Sequence, residues 1–104
     1  MKRKVLWQRN AIIQRNSILE YIIREFGKSP ARKFNAELKR CQNLICSNPL
    51  IAPLEQLLSE MEKTYRSILV SSLSKMIFYE EEGVIHIVAL WDTRRCPDKM
   101  KDEV

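Results

Sequence analysis

Residues 65–92 decide the fold, and their sequence is YRSILVSSLSKMIFYEEEGVIHIVALWD. Three runs within this stretch are rich in β-branched and aromatic residues, which is typical of strands with alternating faces. The runs are Tyr65 to Ser71, Lys75 to Glu80 and Val84 to Leu90. Turn-forming residues separate them at Ser72–Ser74 and at Glu81–Gly83. Because both connections are short, we predict that the three strands form an antiparallel meander.

Two helices are predicted upstream of the strands. Residues 11–26 carry apolar side chains at helical spacing, and this helix ends at Gly27. A second helix is predicted to begin at Ser29 and Pro30, because a serine oxygen can accept from free amides and proline needs no donor there. It ends at Asn48 and Pro49. Its apolar stripe consists of Ala31, Phe34, Leu38, Cys41 and Ile45.

The remaining segments complete an α+β fold in a single domain, residues 1–104. Residues Lys4 to Gln8 predict a short N-terminal strand, and residues Leu50 to Lys63 predict a connecting segment with a helical turn at Leu54–Leu58. A short strand, a two-helix hairpin and a three-stranded antiparallel meander place both helices on one sheet face. The other face is expected to be open to water and to carry the function.

The charge of the chain favours an anionic partner. Its 18 Lys and Arg residues against 13 Asp and Glu residues give a net charge of +5. Such a balance attracts nucleic acid or an acidic protein over long range. Many small proteins are basic for solubility alone, so the charge permits this interpretation without requiring it.

Metals, cofactors and membranes are not indicated by the sequence. Three cysteines and one histidine follow no metal-ligand spacing, which suits reduced thiols in a cytosol. Cys41 and Cys46 fall in the second helix, where they are expected to fill the core. No apolar run approaches the roughly 18 residues that a membrane span needs. We therefore expect a cytoplasmic protein that uses no cofactor.

Arg66 is a candidate for chemistry because it begins a mostly apolar strand. Alternation places it on the same face as Ile68 and Val70. A guanidinium at this position could clamp a phosphate, since its planar donor fork matches phosphate oxygens. The alternative is an arginine at the sheet edge that pairs with a carboxylate: Glu60, Glu62 or Glu80.

Three further polar residues lie within the last strand or directly after it. Arg94 and Arg95 emerge where the chain leaves the last strand, a common place for functional residues. The alternative is a solvated charge run in which Asp92 caps the turn. His86 lies within the last strand, where it is either a general base or a half-exposed histidine without a catalytic role.

The sequence as a whole resembles the RelE/ParE superfamily of toxins. The segments YRSILV (65–70), KMIFY (75–79) and IHIVALWDTRRCP (85–97) are similar to the consecutive C-terminal strand motifs of that family, in the same order and spacing. Residues 48–51, NPLI, resemble its segment before the sheet, although Ala52 stands where related sequences commonly have glycine. The likeness to the first helix of the family rests on Trp7, Ala11, Ile18, Tyr21 and Ile22.

The resemblance implies a toxin that a cognate antitoxin, usually encoded beside it, holds inactive in a hetero-oligomer. RelE-like members cleave mRNA on the ribosome, where basic side chains stabilise the charge that develops as the 2′-hydroxyl attacks. ParE-like members inhibit DNA gyrase and need no catalytic residues of their own. A decayed toxin that keeps only antitoxin binding is a third interpretation.

An endoribonuclease of this family would use Arg66 and Arg94 as catalytic residues. The substrate-binding residues expected beside them are Lys63, Lys75, Tyr79 and Arg95. These ribonucleases often carry a C-terminal Tyr or His, but residues 96–100, CPDKM, contain neither. A base would then come from Glu60, Glu62, Tyr79 or His86. Cleavage of mRNA on the ribosome is therefore the first interpretation of the target, and inhibition of DNA gyrase is the alternative that the sequence leaves open.

Overall fold

The computed structural model describes residues 2–104 and confirms the predicted α+β architecture. The strands are β1 (Lys4–Trp7), β2 (Arg66–Ser71), β3 (Ser74–Glu81) and β4 (Val84–Asp92), and the helices are α1 (Arg9–Phe26) and α2 (Lys28–Ser47). Short 3₁₀ segments follow at Pro49–Ile51, Gln56–Leu58 and Pro97–Glu103. No helix in this described part has the length and apolar character that crossing a membrane requires.

The four strands form one sheet in the order β1-β4-β3-β2. β2, β3 and β4 are the predicted antiparallel meander, with Arg66 opposite Phe78 across the first pair. β1 lies at the edge and runs parallel to β4, so that Leu6 is opposite His86. A parallel pair needs a long connection between its strands, and the two helices lie within that connection. The sheet is therefore mixed.

The two helices meet at Gly27, which ends α1 and begins α2. Its φ of 97° lies in the region that favours glycine. Its amide donates to the carbonyl oxygens of Ile22 and Ile23. Because α2 starts directly after this glycine, the predicted serine cap at Ser29 is wrong, and Ser29 lies inside the first turn. α1 also begins earlier than predicted, at Arg9.

A hydrophobic core fills the space between the helices and one face of the sheet. The apolar stripe of α2 is buried as predicted, and Cys41 and Cys46 both belong to this core. The sheet contributes Val70, Met76, Phe78, Ile85, Ile87 and Leu90. Both helices thus pack on the same face, which confirms the prediction.

The opposite face of the sheet, which we call the outer face, is only partly open. A second apolar cluster covers it and consists of Leu58, Tyr65, Ile77, Val88, Ala89, Trp91 and Met100. The 3₁₀ segments Gln56–Leu58 and Pro97–Glu103 supply Leu58 and Met100 to this cluster. The face that was expected to be open to water is therefore covered in part. Its accessible part lies around Tyr79 and His86, which are half-buried.

Candidate functional site

Five titratable side chains lie at or directly beneath the accessible part of the outer face, and Tyr65 is the buried one. We call them the tyrosine–histidine cluster: Lys63, Tyr65, Tyr79, Glu81 and His86. The register of β3 and β4 places Tyr79 opposite His86. Their rings are stacked, with centroids 4.7 Å apart and an interplanar angle of 13°. Tyr65 meets the Tyr79 ring edge-on, with centroids 5.6 Å apart.

Lys63 supplies a cation to this cluster. Its Nζ lies 2.7 Å from Oε1 of Glu81 and 5.3 Å from the centroid of the Tyr79 ring. The hydrogen bond between Lys63 and Glu81 raises the pKa of the lysine and lowers the pKa of the carboxyl. Burial raises the pKa of Tyr65, so its hydroxyl is neutral at physiological pH. An imidazole, a phenol and a cation thus share one accessible surface.

Lys75 lies on the same face but has a buried partner. It forms an ion pair with Glu55, whose side chain is only 5% exposed. Burial alone raises the pKa of Glu55, but hydrogen bonds from Lys75, the Leu57 amide and Ser67 outweigh it and hold this pKa below its usual range. Lys75 is four residues from Tyr79 along β3, or about 13 Å. The pair ties the connecting segment to the sheet, away from the cluster.

Arg95 is occupied by the C-terminal segment. Its guanidinium stacks over the Trp91 ring, 4.5 Å from the centroid, and donates to both carboxylate oxygens of Glu103 at 2.6 and 2.8 Å. The amide of Gln14 in α1 donates to the same carboxylate at 3.1 Å. Glu103 therefore fastens the C-terminal segment to both the sheet and α1.

Arg66 lies on the edge strand β2 and faces the helix-covered side of the sheet. Ile68 and Val70, on the same side of β2, pack into the hydrophobic core beneath the helices. Its guanidinium donates to the carbonyl oxygen of Ala52 at 2.8 Å. Within residues 2–104 it pairs with none of the carboxylates considered from the sequence, so that alternative is wrong. Glu80 pairs with Arg3 instead.

Arg94 sits at the opposite end of β2 from Arg66, a span of about 16 Å. Its guanidinium donates to both oxygens of Asp92, and its amide donates to Oδ1 of Asp92 at 2.9 Å. Asp92 thus caps the turn, as one alternative predicted, and the hydrogen bonds from Arg94 lower its pKa. The two arginines assigned to catalysis do not converge on one point.

A groove of about 410 Å³ lies beside Arg94, between α1, the start of α2 and the β2–β3 turn. We call it the α1 groove, and its apolar lining is Ile18, Tyr21, Ile22, Phe26, Phe34 and Leu73. Phe26 is 65% exposed, and Tyr21 and Leu73 are exposed as well. Contiguous exposed apolar side chains are typical of interaction sites. The sequence pattern did not indicate this groove, because its α1 residues have the spacing of an ordinary core stripe.

No protein-family model matches this sequence, and no curated protein matches it either. Among solved structures, the chain is similar to a chain of the "Chromosomal ParDE TA system from P. aeruginosa". The two are 14% identical and superpose with a TM-score of 0.70. The match covers 88% of this chain and 96% of the other. This protein therefore has the fold of that ParDE chain over nearly its whole length.

Proposed function

We propose that this protein is the toxin of a type II toxin-antitoxin pair and is held inactive by a cognate antitoxin. The observation that carries the proposal is the likeness to a chain of a ParDE TA system, which extends over 96% of that chain. The strand motifs of residues 65–97 support the same assignment independently of the fold.

The antitoxin is proposed to bind the α1 groove. The exposed rings of Tyr21 and Phe26 offer anchors for apolar side chains. An amphipathic segment that presents an apolar face fits a groove of this composition. The net charge of +5 would speed association with an acidic segment, so the association rate should fall as salt is raised.

Replacing Phe26 by aspartate is expected to break neutralisation without removing toxicity. Phe26 is 65% exposed, so a charge there leaves the core intact but places a carboxylate in the apolar groove. Loss of an aromatic anchor at an interface costs about 2 kcal/mol or more. The measurement is growth of cells that co-express the variant with the product of the neighbouring reading frame, together with titration calorimetry of the two proteins.

The matched control is Ile13→Asp, because Ile13 is also an exposed apolar residue of α1 but does not line the groove. This variant should be neutralised like the wild type. Neutralisation of Phe26→Asp at wild-type affinity would show that the antitoxin binds elsewhere.

For the target, we propose inhibition of DNA gyrase through protein contacts, as in ParE-like toxins. Four of the five cations assigned to RNA chemistry have intramolecular carboxylate partners: Lys63, Lys75, Arg94 and Arg95. Arg66 is engaged by the Ala52 carbonyl. A nuclease needs such groups aimed together at the charge that develops in the transition state, and here they lie at separate places on the surface.

Cleavage of mRNA is the second candidate, because the tyrosine–histidine cluster brings an imidazole, a phenol and a lysine together. His86 could act as general base and Lys63 as charge stabiliser. Because the Lys63–Glu81 pair is exposed, Lys63 can exchange the Glu81 carboxylate for a phosphate at little cost in free energy. This cluster differs from the two arginines assigned from the sequence and offers a separate set of residues to test.

Induced expression with pulse labelling should separate the two targets. We expect DNA synthesis to fall while transcripts stay intact, and we expect His86→Gln and Tyr79→Phe to remain as toxic as the wild type. These two substitutions remove the base and the phenol while keeping side-chain volume. Arg66→Ala is less suitable, since it also removes the donor to Ala52.

Cut transcripts would contradict the gyrase proposal. If His86→Gln then lowered cleavage by about 100-fold or more, the tyrosine–histidine cluster would be the catalytic site. Unchanged DNA and protein synthesis would contradict both targets and favour a decayed toxin that keeps only antitoxin binding.

A further inference from the structure

The positive charge of this protein is concentrated on the helical hairpin. Residues 9–47 contain eight Lys or Arg and three Asp or Glu, so they account for the whole net charge of +5. The rest of the chain has ten of each sign and is neutral. In that remainder, Arg3, Lys63, Lys75, Arg94 and Arg95 all have carboxylate partners. Within residues 2–104, the remainder thus pairs five of its ten cations with its own carboxylates, whereas the hairpin pairs two of its eight, Arg24 and Arg40.

The outward side of α2 carries a row of exposed polar side chains, which we call the α2 basic row: Lys28, Arg32, Asn35, Lys39 and Asn43. The spacing of four, three, four and four residues places them on one stripe of the helix. Lys28 and Lys39 are about 16 Å apart along the axis. Within residues 2–104, no carboxylate pairs with the three cations of the row. Glu37, the acid of α2, pairs with Arg40 outside the row.

We propose that the α2 basic row binds the phosphate backbone of double-stranded DNA. Lys, Arg and Asn side chains are typical phosphate contacts, and a straight row of them matches the regular charge of a duplex, with one phosphate per ~3.4 Å on each strand. The contact is independent of base sequence, since phosphates carry no sequence information directly.

Two other partners fit the row less well. A protein interface needs buried apolar or aromatic anchors, and the row contains none. Single-stranded nucleic acid is held mainly by stacking on exposed aromatic side chains, whereas Phe34, the aromatic residue of α2, is buried. Because the α2 basic row consists of cations and amides without an apolar centre, it fits a rigid polyanion such as duplex DNA better than either of these partners.

The test is fluorescence anisotropy of a labelled 20-bp DNA duplex titrated with the full-length protein at several salt concentrations. The wild type is expected to bind with a dissociation constant on the order of 10⁻⁵ M and a clear salt dependence. The triple variant Lys28→Gln, Arg32→Gln, Lys39→Gln should bind at least about 10-fold more weakly, and its salt slope should be lower by about 2.7, or 0.9 for each lost phosphate contact. Glutamine keeps these exposed positions helical.

The control variant is Lys2→Gln, Lys99→Gln, Lys101→Gln, which removes three exposed charges that lie outside the α2 basic row. It should lose less than about threefold in affinity, because these lysines act only through the field of the whole protein. Equal losses in the two variants would mean that net charge alone attracts DNA, and the proposal would be overturned. Tighter binding to a single-stranded oligonucleotide of the same length would overturn it too. Neither readout depends on toxicity or on an antitoxin.

Discussion

Replacing Lys75 by methionine is expected to lower the free energy of unfolding by about 3 kcal/mol at pH 7. Lys75 is the ion-pair partner of Glu55, whose side chain is 5% exposed. Without the ammonium group a carboxylate remains buried on the outer face, and its desolvation is no longer offset by an opposite charge. Urea unfolding followed by circular dichroism measures the loss.

The effect of Lys75→Met should disappear in acid. Because the folded-state pKa of Glu55 lies below its usual range, its carboxylate stabilises the wild type above the unfolded pKa, and this contribution is lost as the pH falls through the folded pKa. In the variant, burial raises the pKa of Glu55, so the carboxyl is protonated at higher pH. The two stabilities should converge below about pH 4, and a constant difference from neutral pH to acid would contradict this account.

Two control variants separate the ion pair from other effects of the substitution. The double variant Lys75→Met, Glu55→Gln should recover most of the loss, because a neutral amide leaves no buried charge. Lys99→Met changes the same residue type at an exposed position and should stay within about 0.5 kcal/mol of the wild type.

Deleting residues 98–104 is expected to cost about 5 kcal/mol, which is comparable with the whole stability of a small domain. The deletion removes Met100, which is fully buried in the second apolar cluster, and exposes Trp91 of the same cluster. It also removes Glu103, which binds Arg95 and Gln14. Thermal unfolding should show either a strongly lowered midpoint or no cooperative transition.

A point variant keeps this second prediction testable if the truncated chain does not fold. Met100→Ala should cost about 3 kcal/mol, since it leaves a cavity next to Trp91. Its exposed neighbour Lys101→Ala should change stability by less than about 0.5 kcal/mol. Wild-type stability of Met100→Ala would show that the C-terminal segment does not seal the outer face. Because the C-terminal deletion is expected to destabilise the fold, a loss of toxicity in the deleted chain would follow from unfolding as well as from a lost target contact.

The order of helices and strands could be predicted well because it depends on local periodicity. The run from Tyr65 to Leu90 alternates with a period of two, and its strands were found within one or two residues of the predicted bounds. The α2 stripe from Ala31 to Ile45 repeats with a helical period and is buried as expected. The Ser29 cap was wrong because Gly27 links the helices without a separate cap residue.

The candidate site could be predicted only in part. Lys63 and Tyr79 were assigned to one surface and do lie 5.3 Å apart, measured from Nζ to the ring centroid. His86 had no recognisable partner in the sequence, because the register that stacks it on Tyr79 joins two strands across a turn. The α1 groove was not anticipated, since helical spacing does not reveal which apolar residues a neighbouring element leaves uncovered.

The sequence by itself determined the α+β class, the buried stripe of α2 and the meander of β2, β3 and β4, because helix and strand periods are properties of consecutive residues. Only the tertiary structure decided which charges are free to act. Lys75 meets Glu55, and Arg3 meets Glu80 across 77 positions. Such pairs depend on how distant segments come together as the chain packs its core. The same cation type is therefore paired at Lys75 and Arg3 but left without a carboxylate partner in the α2 basic row.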